Sequence, residues 1–84
     1  MGVNDRNLRL TWGQRIRAQR KSLGLSQAHV SELLGTTQEQ LSRWENGIYA
    51  PVDSMRVELA RVLRTTVADL FPYPDDTNGD EAAA

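Results

Sequence analysis

The chain has 84 residues, with ten basic and eleven acidic side chains, a net charge of −1 and no cysteine. That length allows one small domain near the lower limit for a self-sufficient core, and the missing cysteines exclude disulfide or thiolate–metal staples, so helix packing or association must stabilise it. No apolar run nears the roughly 18 residues of a membrane span and no signal-peptide apolar region opens the chain, so the expectation is a soluble cytoplasmic protein with no membrane partner.

Residues 1–8 read as a flexible basic arm. Six of the ten bases (Arg6, Arg9, Arg15, Arg17, Arg20 and Lys21) fall within the first 21 positions, while Asp75, Asp76, Asp80 and Glu81 crowd the last ten. Without those four acids and Asp5, residues 6 to 71 carry ten bases against six acids, a net of +4. That balance modestly suits a polyanionic partner.

Strand signals are nearly absent, and the chain divides into five short helical segments. The first is expected after Thr11, with Gln14 completing a capping box, and ends near Leu23 at the stop signal Gly24. Trp12, Ile16 and Leu23 form its inner stripe. The second begins at the N-cap Ser26, with Leu25 and Val30 spaced for a hydrophobic staple, and ends at Gly35. The third starts at Thr36 or Thr37, since both pair at capping-box spacing with Glu39 or Gln40, and ends at Gly47. The fourth follows Pro51, with Val52, Met55, Leu59, Val62 and Leu63 as its apolar stripe. The fifth is short, from Thr66 to Phe71, before Pro72 and Pro74. Residues 73–84 read as a disordered acidic tail. The fold class is all-α, a compact five-helix bundle.

The third helix carries the functional signal. At 100° per residue, Leu41 and Trp44 share one side, whereas Glu39, Ser42, Arg43 and Asn46 share the other and Gln38 sits at the exposed start. The apolar side anchors the helix, and the polar side suits base edges. Gln matches adenine N6 and N7, Arg matches guanine O6 and N7, and Glu accepts from cytosine N4. A short capped helix, a glycine turn and a second capped helix follow the pattern of a motif whose second helix enters the DNA major groove.

Residues 12–71 resemble the Cro/cI-type (XRE-like) helix-turn-helix domain of lambdoid phage repressors and small bacterial regulators. The resemblance rests on GQRIRAQRKSLGLSQ (13–27), LLGTTQEQLSRWENG (33–47), Pro51 and ELARVLRTTVADLF (58–71). It implies a lambda-repressor-like DNA-binding domain over residues 9–72, acting as a homodimer on a pseudo-palindromic double-stranded operator. Residue by residue, it implies Gln27 and Thr37 on phosphates beside the groove. Gln38, Glu39, Ser42 and Arg43 would lie on base edges, with Asn46 on the backbone again. It also implies a buried structural ion pair, Arg20 with Glu45. The residues support that pair separately, because Glu45 adjoins the apolar side of the third helix, where an unpaired carboxylate would be costly.

Some positions depart from the pattern. Ile48, Tyr49 and Ala50 stand where a basic residue is usual, and Ser31 replaces a small apolar residue. Asp53 and Arg56 occupy positions that are often apolar. Arg64 replaces a capping glycine, leaving the turn into the fifth helix open.

Nothing points to an enzyme, a metal or a cofactor. His29 is the only histidine and lies on the outer side of its helix, no nucleophile–base pair is legible, and no glycine-rich phosphate loop exists. The leading expectation is a sequence-specific DNA-binding transcriptional regulator, most simply a repressor that occupies its operator. A rival is an antitoxin-like protein-interaction module gripping a protein partner through the acidic tail. A third possibility is a fold kept purely as an assembly scaffold.

Overall fold

The computed structural model describes residues 5–73, and among these there are five helices and no strand. They are α1 (Arg6–Ser22), α2 (Gln27–Leu34), α3 (Gln38–Glu45), α4 (Asp53–Val62) and α5 (Val67–Leu70). The terminal residues 1–4 and 74–84 lie outside this range, and with them half of the expected arm and all but Tyr73 of the expected tail.

Local chemistry sets these boundaries. Side chains of Asp5, Ser26, Thr37 and Thr66 accept from the backbone N–H three residues on, capping α1, α2, α3 and α5 at 3.0–3.1 Å. Each satisfies an amide that has no partner within its own helix. The far ends share one device. Gly24, Gly35 and Gly47 adopt left-handed backbone, with φ of 71°, 72° and 72°. The next residue in each case donates back across the last turn, Leu25 N to Arg20 O, Thr36 N to Ser31 O, and Ile48 N to Arg43 O. This is the Schellman arrangement. The open question at α4 resolves the same way, because Arg64 takes φ 57° and Thr65 N donates to Ala60 O at 2.9 Å.

One boundary corrects the sequence reading. Helix α1 begins at Arg6 rather than after Thr11, so residues 6–8 of the expected arm form its first turn and Thr11 sits inside the helix, half-buried. Asp5 is itself a good cap, and the extra turns gain contacts. Leu8 packs against the core, and Leu10 lies against the backbone of Gly47.

The core comprises Trp12, Ile16, Val30, Leu41, Trp44, Leu59, Ala60, Leu63, Leu70 and Phe71. Helix α3 packs on α1 and α2, α2 on α4, and α5 closes against α4 and α1. Two expected inner residues lie outward, Leu23 at 38% exposure and Val52 at 68%. Leu23 falls at the C-cap of α1 and Val52 at the N-cap of α4, where the chain leaves the helical stripe. The unusual Arg56 is absorbed by aromatic packing. Its guanidinium lies 4.6 Å from the centre of the Trp12 ring, and it donates to the Pro51 carbonyl and to the Tyr73 hydroxyl. Phe71 and Tyr73 meet Trp12 edge-on, and the indole N–H donates to the Pro72 carbonyl at 2.8 Å. These contacts hold the chain after α5 across α1.

Candidate nucleic-acid interface

Helix α3 divides as its sequence pattern implies. Leu41 is fully buried, and Trp44 and Glu45 retain 5% and 4% exposure, so one side is fixed in the domain. Gln38, Glu39 and Asn46 are exposed, and Ser42 and Arg43 are half-buried, so the opposite side forms a polar edge. Gly35, Thr36 and Thr37 make the connection from α2, and the Thr37 hydroxyl oxygen accepts from the Gln40 amide, leaving its O–H to donate. Ser31 is buried and donates to the Ala28 carbonyl at 2.9 Å, so its hydroxyl leaves no unsatisfied group where α2 meets α3.

The buried ion pair lies behind this edge. Arg20 Nε donates to Glu45 Oε2 at 2.6 Å and Nη2 to Oε1 at 3.0 Å, a forked pairing joining α1 to α3. A third donation, Nη1 to the Leu25 carbonyl at 2.8 Å, ties in the turn before α2. The hydrogen bond to Glu45 raises the Arg20 pKa above its ordinary value, the opposing effect of burial notwithstanding. Among the described residues, no buried side-chain nitrogen or oxygen lacks a partner.

Gln27 connects this pair to the surface. Its Nε2 donates to Glu45 Oε1 at 3.0 Å. An ionised carboxylate can only accept, so the Gln27 amide must turn its NH2 group inward and its oxygen outward. That oxygen faces Gln38 Nε2 at 3.5 Å, a long contact whose polarity is nevertheless fixed. The edge is internally braced elsewhere as well. Arg43 Nη2 donates to Glu39 Oε2 at 2.9 Å, and Asn46 Nδ2 donates to the Ser42 carbonyl at 2.9 Å.

Gly13 was not singled out by sequence reasoning, yet it sets the crossing of α1 and α3. A Cβ there would come under 3.0 Å from the backbone carbonyls of Trp44 and Glu45. Nothing local signals this role, since a glycine inside a helical pattern otherwise reads only as a propensity penalty. Close by, Arg9 Nε donates to the Gly47 carbonyl at 3.1 Å, tying α1 to the end of α3.

Comparison with known proteins places this geometry. A family model described as Helix-turn-helix matches residues 16–70. An HTH-type transcriptional regulator of Methanothermobacter thermautotrophicus is 36% identical over 62 residues, covering 73% of this chain and 90% of that protein. The restriction-modification controller protein C.AhdI of Aeromonas hydrophila superposes with a TM-score of 0.71 at 28% identity, over 75% of this chain and 96% of that one. The P22 c2 repressor, solved in complex with a synthetic operator, superposes with a TM-score of 0.70 at 30% identity, over 73% and 92% of the two chains. With its capped α2, glycine turn and anchored α3, the chain belongs to the Cro/cI-type (XRE-like) helix-turn-helix family.

Proposed function

We propose that the protein is a sequence-specific transcriptional regulator that binds double-stranded DNA by laying α3 in the major groove, most simply as a repressor occupying its operator. The observation that carries this reading is the division of α3. Leu41, Trp44 and Glu45 hold the helix rigidly, while Gln38, Glu39, Ser42 and Arg43 stand outward at the spacing of base edges. Thr37 and Asn46, at the two ends of the helix, take the phosphate backbone. The Gln27 side chain can donate to a phosphate through its second amide hydrogen, since the first is committed to Glu45, and its backbone N–H at the start of α2 is a further donor.

Relatives named as an HTH-type transcriptional regulator and as a repressor bound to an operator support this function. The protein-interaction alternative is not favoured by those matches, and its acidic tail falls outside the described residues. We further infer action in the cytoplasm as a homodimer on a pseudo-palindromic site, with half-site centres about 10–10.5 bp apart.

The test is selection of bound duplexes from a random pool, followed by binding of variants to the selected site. Gln38→Ala and Arg43→Ala should each cost ~1–3 kcal/mol and relax preference at particular base pairs. Asn46→Ala should weaken all duplexes more evenly. Identical profiles for the two kinds of variant would refute the assignment of α3 to the groove.

A further inference from the structure

Glu39 is an odd residue at the leading end of a helix aimed at DNA. Its side chain is 72% exposed, and it stands in the first turn of α3 beside Gln38. Duplex DNA presents a negative charge about every 1.7 Å along its axis. An acid carried into the groove therefore weakens binding to every sequence, unless it meets a hydrogen-bond donor there.

Two structural advantages account for a glutamate in an isolated helix. It complements the positive end of the helix dipole, and it sits four residues before Arg43, the favourable order for an ion pair. Neither offsets the repulsion once DNA is bound. This surface pair also orients Arg43. Arg43 Nη2 is held on Glu39 Oε2 at 2.9 Å while the Arg43 side chain is only 42% exposed. The guanidinium is thus steadied with donors to spare, and Glu39 Oε1 accepts no hydrogen bond in this pairing.

We propose that Glu39 determines specificity at its own position of the site: it rejects half the base-pair orientations there and holds Arg43 for a guanine nearby. This rests on the DNA-binding reading above. An ionised carboxylate only accepts hydrogen bonds, and in the major groove only cytosine N4 and adenine N6 offer amino donors. Thymine O4 and guanine O6 or N7 present acceptors, against which the carboxylate is repelled. Glu39 therefore selects a base bearing an exocyclic amine, cytosine foremost, and excludes thymine and guanine from the same place. Arg43, one turn further along α3, presents its remaining donors to guanine O6 and N7. The pair acts as a unit that requires a suitably oriented amino base and a guanine within a short step of one another. Discrimination comes as much from repelling the wrong base as from attracting the right one.

The experiment compares wild-type protein, Glu39→Gln and Glu39→Ala on a duplex selected by the wild type. Every base pair of one half-site is changed in turn, and an unrelated duplex is included. Wild-type protein should show one position where replacing the amino base by thymine or guanine weakens binding about tenfold or more. Glu39→Gln, which keeps the size but removes the charge and adds a donor, should reduce that penalty to about threefold or less and bind the unrelated duplex several-fold more tightly. Glu39→Ala should also blunt the guanine preference at the Arg43 position. An unchanged profile in Glu39→Gln, or equal weakening on all duplexes, would overturn the inference while leaving DNA binding intact. Failure of the wild-type protein to enrich any duplex would overturn the DNA-binding reading itself, and this inference with it.

Discussion

Gly13→Ala sets helix propensity directly against packing. Within an exposed helix the change stabilises by about 1 kcal/mol, because alanine loses less backbone freedom on folding. Here the new Cβ would stand under 3.0 Å from the carbonyls of Trp44 and Glu45, both of them backbone groups that cannot rotate away. Carbon–oxygen contacts between packed helices settle near 3.3–3.6 Å, so α1 and α3 must part by roughly an ångström. Overpacking of this kind costs about 1–3 kcal/mol. The separation also stretches the Arg20–Glu45 bond, 2.6 Å long and shared between the same two helices. Charge-assisted bonds weaken steeply with such displacement, so packing wins and the net loss should be about 1–3 kcal/mol. For a domain of this size each kcal/mol lowers Tm by about 4–8 °C. Thermal melting followed by far-ultraviolet circular dichroism reads the effect. An unchanged or higher Tm would mean that propensity prevails and that α1 and α3 do not touch at this crossing.

The ion pair and the α4 turn give two further expectations. Glu45→Ala leaves the Arg20 guanidinium buried against Leu25 without its carboxylate and should destabilise the domain by ~3–5 kcal/mol in urea titrations. A loss below 1 kcal/mol would contradict its burial. Arg64→Gly relieves a side chain held at φ 57° and should raise stability by up to about 1 kcal/mol, seen as a higher Tm; a lower Tm would show that Arg64 makes a compensating contact.

Much of the fold was legible because its helix ends are written in local chemistry. Ser26, Thr37 and Thr66 cap as expected, and Gly24, Gly35 and Gly47 terminate as expected, since each signal needs only its own neighbours. The core residues Trp12, Ile16, Leu41, Trp44, Leu59 and Leu63 followed from helical periodicity, and the Arg20–Glu45 pair from the family resemblance, supported by the cost of an unpaired acid beside an apolar stripe. The start of α1 was misplaced because two caps compete. Thr11 with Gln14 has the better sequence spacing, but Asp5 gains the tertiary contacts of Leu8 and Leu10. The Gly13 crossing, the Gln27–Glu45 bond and the seat of Arg56 over Trp12 join residues distant in the chain. No local pattern encodes such pairings, and the amide polarity of Gln27 becomes readable only once Glu45 is known to face it.

The account turns on which surface meets DNA. Titrating a selected duplex into isotopically labelled protein, and following the backbone amide resonances, tests that most directly. The largest changes should fall on residues 37–46 and on Gln27, with little change at Leu23, Leu33 and Val62, which line a groove beside α2. Undisturbed α3 resonances, with the changes gathered at that groove instead, would contradict it.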